Sequence, residues 1–178
     1  MKFRFNVNIN DNDYYDFNKF HNTRSPYGKK QMTSIRIIFA VFGLLYAVFT
    51  TVSDGFDPYM LIALLIVFSL LIVFFPKLFM LVLKGNIKAM KKNGKMAYTP
   101  SSVMEFYDDF FCESAEETST NYKYSIIEHI SVVDNKVIYI HINSVMGLIL
   151  PFASFQSAEQ MAAFFEFIKT KCANIRYY

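Results

Sequence analysis

The sequence predicts a membrane α+β protein, in which a two-helix transmembrane hairpin precedes a small antiparallel β domain closed by a carboxyl-terminal helix. Two apolar runs, at residues 37–52 and 59–75, contain no charged residue. A series of short alternating segments follows them, and the chain ends in an amphipathic helical pattern. We expect the amino-terminal strand, residues 3–9, to pair into the sheet of the β domain, because a lone strand is not stable.

The two apolar runs are the reason for predicting a hairpin in the membrane. With a flanking residue or two, each approaches the roughly 20 residues that cross a ~30 Å hydrocarbon core. Their aliphatic and phenyl side chains favour insertion by roughly 3 to 8 kcal/mol per segment. Two buried helices of a soluble core are the alternative, but a chain of 178 residues leaves too little protein to cover both. We therefore predict transmembrane helices at 35–52 and 58–76, joined by an extracytoplasmic loop at 53–57.

Charges beside the hairpin predict its orientation. Lys and Arg flank it on both sides, whereas its tip carries only Asp54 and Asp57. Excess positive charge marks the cytoplasmic side, so we expect a cytoplasmic-membrane protein with both termini in the cytoplasm.

Residues 1–34 are then a cytoplasmic strand and short helix. Asn10 or Asp11 is the expected cap of that helix, and the segment 26–28, with Pro26 and Gly28, is expected to end it.

Residues 77–96 form the predicted basic juxtamembrane linker helix, although Gly85-Asn86 is a potential break in it. On a continuous helix the lysines of this segment occupy a sector of roughly 100°. Such a stripe predicts contact with anionic lipid. The alternative is that these lysines only set the orientation of the hairpin in the membrane, which needs no specific lipid. The residues expected to make this contact are Lys84, Lys88, Lys91, Lys92 and Lys95.

The β domain is predicted over residues 97–178. Strands are expected at Val103–Tyr107, Phe110–Ser114, Ile130–Val133, Lys136–Ile142 and Gly147–Pro151, with Glu116–Lys123 as an edge strand or a loop. Alternation along Lys136–Ile142 places His141 on its outward face. Ser157-Ala-Glu-Gln160 has capping-box spacing, and the final helix follows it with Phe164 and Ile168 on its apolar face.

The sequence shows no pattern typical of a catalytic, cofactor or metal site, so we expect a protein that is not an enzyme. His21, His129 and His141 lie at no metal-ligand spacing. Cys112 and Cys172 are expected to stay reduced and unpaired in the cytoplasm. The acidic residues around the first β hairpin, interpreted as solvated carboxylates, are Glu105, Asp108, Asp109, Glu113, Glu116 and Glu117.

The charge of the β domain argues against two classes of ligand. Residues 99–178 contain ten Asp and Glu against five Lys and Arg, a net charge of −5. Nucleic acid is therefore not an expected partner. Direct phosphoinositide binding is not expected either, since phosphate recognition requires a basic pocket.

Several short segments resemble the YcxB-like family of bacterial membrane proteins. They are Phe3-Arg-Phe, Asp13-Tyr-Tyr-Asp-Phe17 with His21, the two-span hairpin, Tyr98-Thr99, Tyr124-Ser-Ile-Ile127 and Leu150-Pro-Phe-Ala-Ser-Phe155. The resemblance covers nearly the whole chain. It implies that the carboxyl-terminal domain is similar to bacterial pleckstrin-homology (PH) domains, with a bent antiparallel sheet capped by one helix. It implies no catalytic activity.

These observations favour a membrane-anchored interaction module, whose PH-like domain binds a protein or peptide at the cytoplasmic leaflet. The partner's identity does not follow from the sequence, and self-association stays open. One alternative is a subunit of an oligomeric membrane enzyme or transporter, with Thr50, Thr51, Ser53 and Ser69 as the polar residues between the spans. Another is a toxin-immunity or stress protein.

Overall fold

The structure is a computed structural model that describes residues 1–96, 98–116, 118–143 and 146–178, with only the backbone of Asp54. Ala97, which begins the predicted β domain, and Glu117 of the acidic cluster lie outside the described residues. The chain divides into two units. We call residues 1–17 with 96–178 the sheet unit and residues 18–95 the hairpin unit.

Four helices and eight strands are described, along with two short 3₁₀ turns at Tyr124–Ile126 and Phe152–Ser154. In chain order they are β1 (Phe3–Asn8), α1 (Asp11–Thr23), α2 (Pro26–Asp54), α3 (Pro58–Lys92), β2 (Ser101–Phe106), β3 (Phe110–Ser114), β4 (Ser119–Lys123), β5 (His129–Val133), β6 (Val137–His141), β7 (Gly147–Pro151), α4 (Ala158–Lys171) and β8 (Ile175–Tyr177). Two long apolar helices thus precede the antiparallel strands and the final helix, as predicted.

The first sheet has the order β1-β2-β3-β4, with every pair antiparallel. Phe3 lies opposite Phe106 and Asn8 opposite Ser101, so the predicted pairing of the amino-terminal strand is confirmed. Just beyond this register, the Ile9 amide donates to the Pro100 carbonyl at 2.9 Å. The two long helices are therefore an insertion between adjacent, paired strands.

The second sheet has the order β7-β6-β5-β8. Strand β8 was not predicted, and it runs parallel to β5. It extends into Tyr178, whose amide donates to the Val132 carbonyl at 2.9 Å and whose carbonyl accepts from the Asp134 amide at 3.0 Å. The parallel pairing is possible because α4 carries the chain back across the sheet unit before β8 begins.

A phenylalanine-rich core joins α4 to the strands of the sheet unit. Phe164 is fully buried, and its ring lies 4.9 Å from Phe106 and 5.1 Å from Phe5, measured between centroids. The helix begins as predicted, because the Ser157 hydroxyl accepts from the Gln160 amide at 3.2 Å. Local capping and long-range aromatic packing therefore place the same helix.

The predicted outward position of His141 is wrong. His141 is 1 % exposed and its neighbour Tyr139 is 2 % exposed. The Phe17 ring of α1 lies 5.1 Å from Tyr139 and 6.0 Å from His141. Strand β6 is thus covered on both faces, so its alternation separates two buried environments rather than core from solvent.

The segment 26–28 begins a helix rather than ending one. Ser25 caps α2 by accepting from the Gly28 amide at 3.0 Å, and its hydroxyl donates to the His21 carbonyl. Pro26 occupies the first turn, where a missing amide hydrogen costs nothing. A β-carbon on Gly28 would lie 2.1 Å from the His21 oxygen, so glycine permits the close approach of α1 to α2. The helix consequently starts nine residues before the predicted span.

Helices α2 and α3, of 29 and 35 residues, are about 44 and 52 Å long. They pack closely, because a β-carbon on Gly43 would lie 2.8 Å from the Phe68 ring, and the Phe39 and Phe75 rings are 5.3 Å apart. Pro76 and Gly85-Asn86 are all inside α3, so the potential break at Gly85-Asn86 is not present. The second predicted span, 58–76, and the predicted linker helix, 77–96, were separate segments, whereas one helix contains the first and most of the second, as far as Lys92.

Candidate functional site

The hairpin unit displays a large apolar surface. Both long helices are long and apolar enough to cross a membrane. Only 6 % of the most apolar stretch of α2 and 0 % of that of α3 is buried in the structure. Phe49 is 65 % exposed, Val52 81 % and Val73 63 %. Water is a poor solvent for such a surface, and exposed apolar surfaces of this size are typical of contacts with a membrane or with another protein.

Basic residues lie at matching levels on the two helices. The contacts of Gly43 with Phe68 and of Phe39 with Phe75 set a register in which Arg36 is level with Lys77. Arg36 is 18 residues from the end of α2 and Lys77 is 19 residues from the start of α3. They are therefore about 27 and about 28 Å from the hairpin tip, close to the ~30 Å thickness of a bilayer core.

The predicted lysine stripe lies on the last turns of α3. Lys84, Lys88, Lys91 and Lys92 are exposed on this continuous helix, whereas Lys95 follows its end. After the helix ends at Lys92, Gly94 has φ of +69°, and the Lys95 amide donates to the Met90 carbonyl at 3.0 Å. This is a Schellman arrangement, which requires glycine at the left-handed position. Contact of these lysines with anionic lipid stays a prediction.

Two threonine hydroxyls near the tip of the hairpin bond within their own helix, α2. The Thr50 and Thr51 side chains both donate to the Ala47 carbonyl, at 3.0 and 2.8 Å. Ser69 lines an otherwise apolar groove of about 450 Å³ between α2 and α3. The alternative of an oligomeric enzyme or transporter places these side chains between copies of the chain, and it stays a prediction.

The sheet unit contains a cavity of about 140 Å³ with one carboxyl group in its lining. That group is Glu113, which lies opposite buried Met104 in β2 and so faces the core side of the first sheet. The Ser102 hydroxyl donates to its Oε1 at 3.1 Å. Burial raises the pKa of the Glu113 carboxyl, and the Ser102 hydrogen bond partly opposes that shift.

Aromatic side chains form much of the same cavity, which is lined by Tyr14, Phe17 and Tyr98. The rings of Tyr14 and Tyr98 stack with centroids 5.1 Å apart, and the Tyr98 hydroxyl donates to Asp11 at 2.5 Å. Burial raises the pKa of Tyr98 to about 12, helped by the Asp11 hydrogen bond and by the nearby negative charges. Tyr98 therefore remains a neutral donor at physiological pH.

The outer face of the first sheet carries a separate polar cluster around Glu105. Its carboxylate accepts from the Tyr107 hydroxyl at 3.0 Å and lies 3.6 Å from Arg4 Nε. The hydrogen bond to Glu105 raises the pKa of Tyr107. Burial, with Glu105 nearby, raises the pKa of the Cys112 thiol. Cys112 and Cys172 are both free thiols, and the raised pKa makes Cys112 a poor nucleophile.

Two of the three histidines lie together, which spacing did not predict. His129 in β5 is opposite His141 in β6, and their rings stack at 4.1 Å. His21 is near Tyr27 instead, with centroids 5.7 Å apart. Across the described part of the chain, no three His, Cys, Asp or Glu side chains are grouped to hold a metal ion.

Strand β4 forms one edge of the first sheet. Ala115 and Thr118 exchange both backbone hydrogen bonds, at 2.7 and 3.3 Å. Because antiparallel ladders alternate, the amides and carbonyls of Ser119, Asn121 and Lys123 point away from β3. No described strand pairs with this side of β4. The edge therefore offers backbone groups to an added strand.

Of the residues that face the cavity, sequence reasoning missed Glu113, which was grouped with solvated carboxylates. A signal was present, because Glu113 has the same parity as buried Phe111 along β3. Knowing the β2–β3 register would have placed the carboxyl on the core side.

Comparison with known proteins gives a family match over part of the chain. The family described as YcxB-like protein matches residues 106–168, from the end of β2 to within α4. The resemblance stated from the sequence is confirmed over this segment, whereas β1 and the hairpin lie outside it. No curated protein and no solved structure matches the chain.

Proposed function

We propose that this chain, matched to the YcxB-like family over residues 106–168, is a non-catalytic protein of the cytoplasmic membrane. The hairpin unit crosses the bilayer twice, and the sheet unit is a cytoplasmic PH-like module that binds a protein or peptide. One observation carries the proposal: long apolar helices with 6 % and 0 % of their most apolar stretch buried are attached to a folded unit that has its own buried core. A soluble protein would bury such helices.

Pairing of β1 with β2 supports an even number of crossings. These strands precede and follow the hairpin, yet they share six paired positions in one sheet. Both flanks of the hairpin must then lie on the same side of any membrane that it enters. A single crossing would separate Asn8 from Ser101 by a bilayer, whereas two crossings agree with the sheet.

The PH-like assignment of the sheet unit is supported by its topology. Seven described antiparallel strands in two sheets precede one helix, α4, which packs its apolar face, including Phe164 and Ile168, into the common core, and the short strand β8 follows that helix. This agrees with the bent sheet and capping helix that the family resemblance implies. The proposed binding surface is the β4 edge, because Ser119, Asn121 and Lys123 offer outward backbone groups there.

Tags on the full chain test the membrane topology. We expect tags before Met1 and after Tyr178 to be protected from protease in intact cells and cleaved after the membrane is permeabilised. A tag in the tip, between Gly55 and Phe56, should be accessible in intact cells. Extraction of the chain into buffer without detergent, or external access to either terminus, would contradict the proposal.

Photocrosslinking at the β4 edge tests the module. Asn121→Pro removes an outward amide hydrogen while leaving the β3–β4 ladder intact, and Asn121→Ala keeps that hydrogen. A crosslink from position 119 to a partner peptide should be lost in Asn121→Pro and retained in Asn121→Ala. Equal crosslinking by both variants would exclude strand addition at β4.

A further inference from the structure

We propose that the cavity in the sheet unit binds a small organic cation, whose ammonium group pairs with the Glu113 carboxylate while its carbon atoms contact Tyr14, Phe17 and Tyr98. The proposed site lies wholly within the sheet unit. It is separate from the β4 edge and from the lysines of α3, so it does not depend on the proposed function.

The position of Glu113 is the first reason. A partly buried carboxylate loses hydration, and such groups are ordinarily compensated by a cation or several hydrogen bonds. Glu113 has one donor, Ser102, and no described Lys, Arg or His contributes to its electrostatics. Its place in the register, opposite Met104, would suit an apolar residue. A bound cation would supply the missing compensation.

The aromatic lining is the second reason. Rings attract organic cations through their negative π faces, and such sites combine aromatic walls with a carboxylate. Tyr14, Phe17 and Tyr98 supply three aromatic walls. Gly147 makes room for one of them, since a β-carbon there would lie 2.9 Å from the Phe17 ring. Aromatic side chains therefore shape the cavity, and glycine at position 147 leaves room for the Phe17 ring.

Charge and size define the ligand class. Asp11 and Asp13 act on Tyr98 with negative charge, and the described lining of the cavity contains no basic residue. A cavity of about 140 Å³ matches the roughly 150 Å³ that accepts a benzene-sized molecule. Primary amines of a few carbons and tetramethylammonium fit these limits, whereas anions do not. The ammonium group could come from a free amine or from a lipid headgroup.

The test uses the full chain in detergent micelles with ¹³C-labelled tyrosine, whose Tyr14 and Tyr98 signals report on the cavity. Ethanolamine and tetramethylammonium are titrated against tert-butyl alcohol, a neutral compound of similar shape. We expect saturable shifts of both signals with the cations and none with the alcohol. Equal shifts with the alcohol, or no shift with either cation, would overturn the proposal.

Matched variants connect binding to the carboxylate. Glu113→Gln keeps an acceptor for Ser102, and we expect it to weaken ethanolamine binding at least tenfold, as loss of a charged partner does. Glu105→Gln, on the outer face of the same sheet, should leave the affinity unchanged. If Glu113→Gln remains folded and binds ethanolamine like the wild type, the proposal is wrong.

Nanodiscs distinguish the two sources of the ammonium group. Discs of phosphatidylglycerol alone are compared with discs that also contain phosphatidylethanolamine. Weaker apparent binding of free ethanolamine in the second kind indicates that the headgroup occupies the cavity. Equal ethanolamine binding in the two kinds of disc indicates that a free amine is the ligand. Ethanolamine must bind the cavity for either result to be obtained.

Discussion

Replacing Phe5 with alanine should destabilise the sheet unit strongly, although Phe5 lies before the hairpin and most of the unit lies after it. Phe5 is 1 % exposed, and its ring centroid is 4.7 Å from Phe155, 5.1 Å from Phe164 and 5.8 Å from Phe106. Deleting a phenyl ring from such a core typically costs about 3 to 5 kcal/mol. The local free energy of unfolding should fall by that amount.

Hydrogen exchange of the full chain in nanodiscs measures this effect. Each 1.4 kcal/mol is about a tenfold change in an opening equilibrium, so the amides of β2 and β3 should exchange on the order of 10² to 10³ times faster in Phe5→Ala. Arg4→Ala is the control, because Arg4 is on the other face of β1 and its side chain is 57 % exposed beside Glu105. Its cost should stay below about 1 kcal/mol.

The contrast between these two variants is the decisive result. If Phe5→Ala leaves exchange in β2 and β3 at the wild-type rate, β1 does not pair with β2 in the chain held in nanodiscs. Equal acceleration of exchange in both variants would mean that the buried face of β1 contributes no more to stability than its exposed face. Either outcome would also remove the sheet argument for two membrane crossings.

Three further predictions address other parts of the chain. Gly28→Ala should lower the melting temperature, because its β-carbon collides with the His21 carbonyl, whereas Gly85→Ala, which meets nothing within 4 Å, should stabilise α3 by about 0.5 to 1 kcal/mol. Because burial raises the pKa of Glu113, its protonated form contributes stability that is lost as the pH rises through that pKa. Glu113→Gln should therefore melt higher than the wild type at about pH 8 and equally at about pH 3, and a lower melting temperature at pH 8 would refute the assignment. Replacing Lys84, Lys88, Lys91 and Lys92 with glutamine should weaken association of the end of α3 with anionic vesicles by about 1 kcal/mol per lysine. A spin label at Ala89 that is equally accessible in neutral and anionic vesicles, in both proteins, would refute that contact.

Local sequence patterns predicted the elements whose formation depends on near neighbours. The capping residues Ser157 and Gln160, the alternation of β1 and the apolar runs of α2 and α3 each act over a few residues. Gly94 belongs to the same class, and its role as a helix terminator could have been predicted from its position after a run of lysines.

The features that were missed depend on contacts between distant segments. His141 is buried because Phe17, more than 120 residues earlier, covers β6. Strand β8 forms because α4 returns Ile175 to β5, and its three residues are too few for their alternation to predict a strand. Pro26 and Gly28 looked like a break, but Ser25 and the close approach to His21 make them the start of α2. Composition alone does not encode these partners.

The hairpin interrupts the sheet at a position where two strands meet, and this placement restricts how the protein can assemble. Asn8 and Ser101 are paired, and Ile9 bonds to Pro100, so the residues that enter and leave the insertion are in contact. During synthesis β1 emerges before the apolar helices, while β2 emerges after them. The first sheet therefore cannot close until both long helices have been synthesised and β2 has followed them. Because β1 contributes Phe5 and Val7 to the core, both fully buried, closure of the fold is coupled to completion of the hairpin.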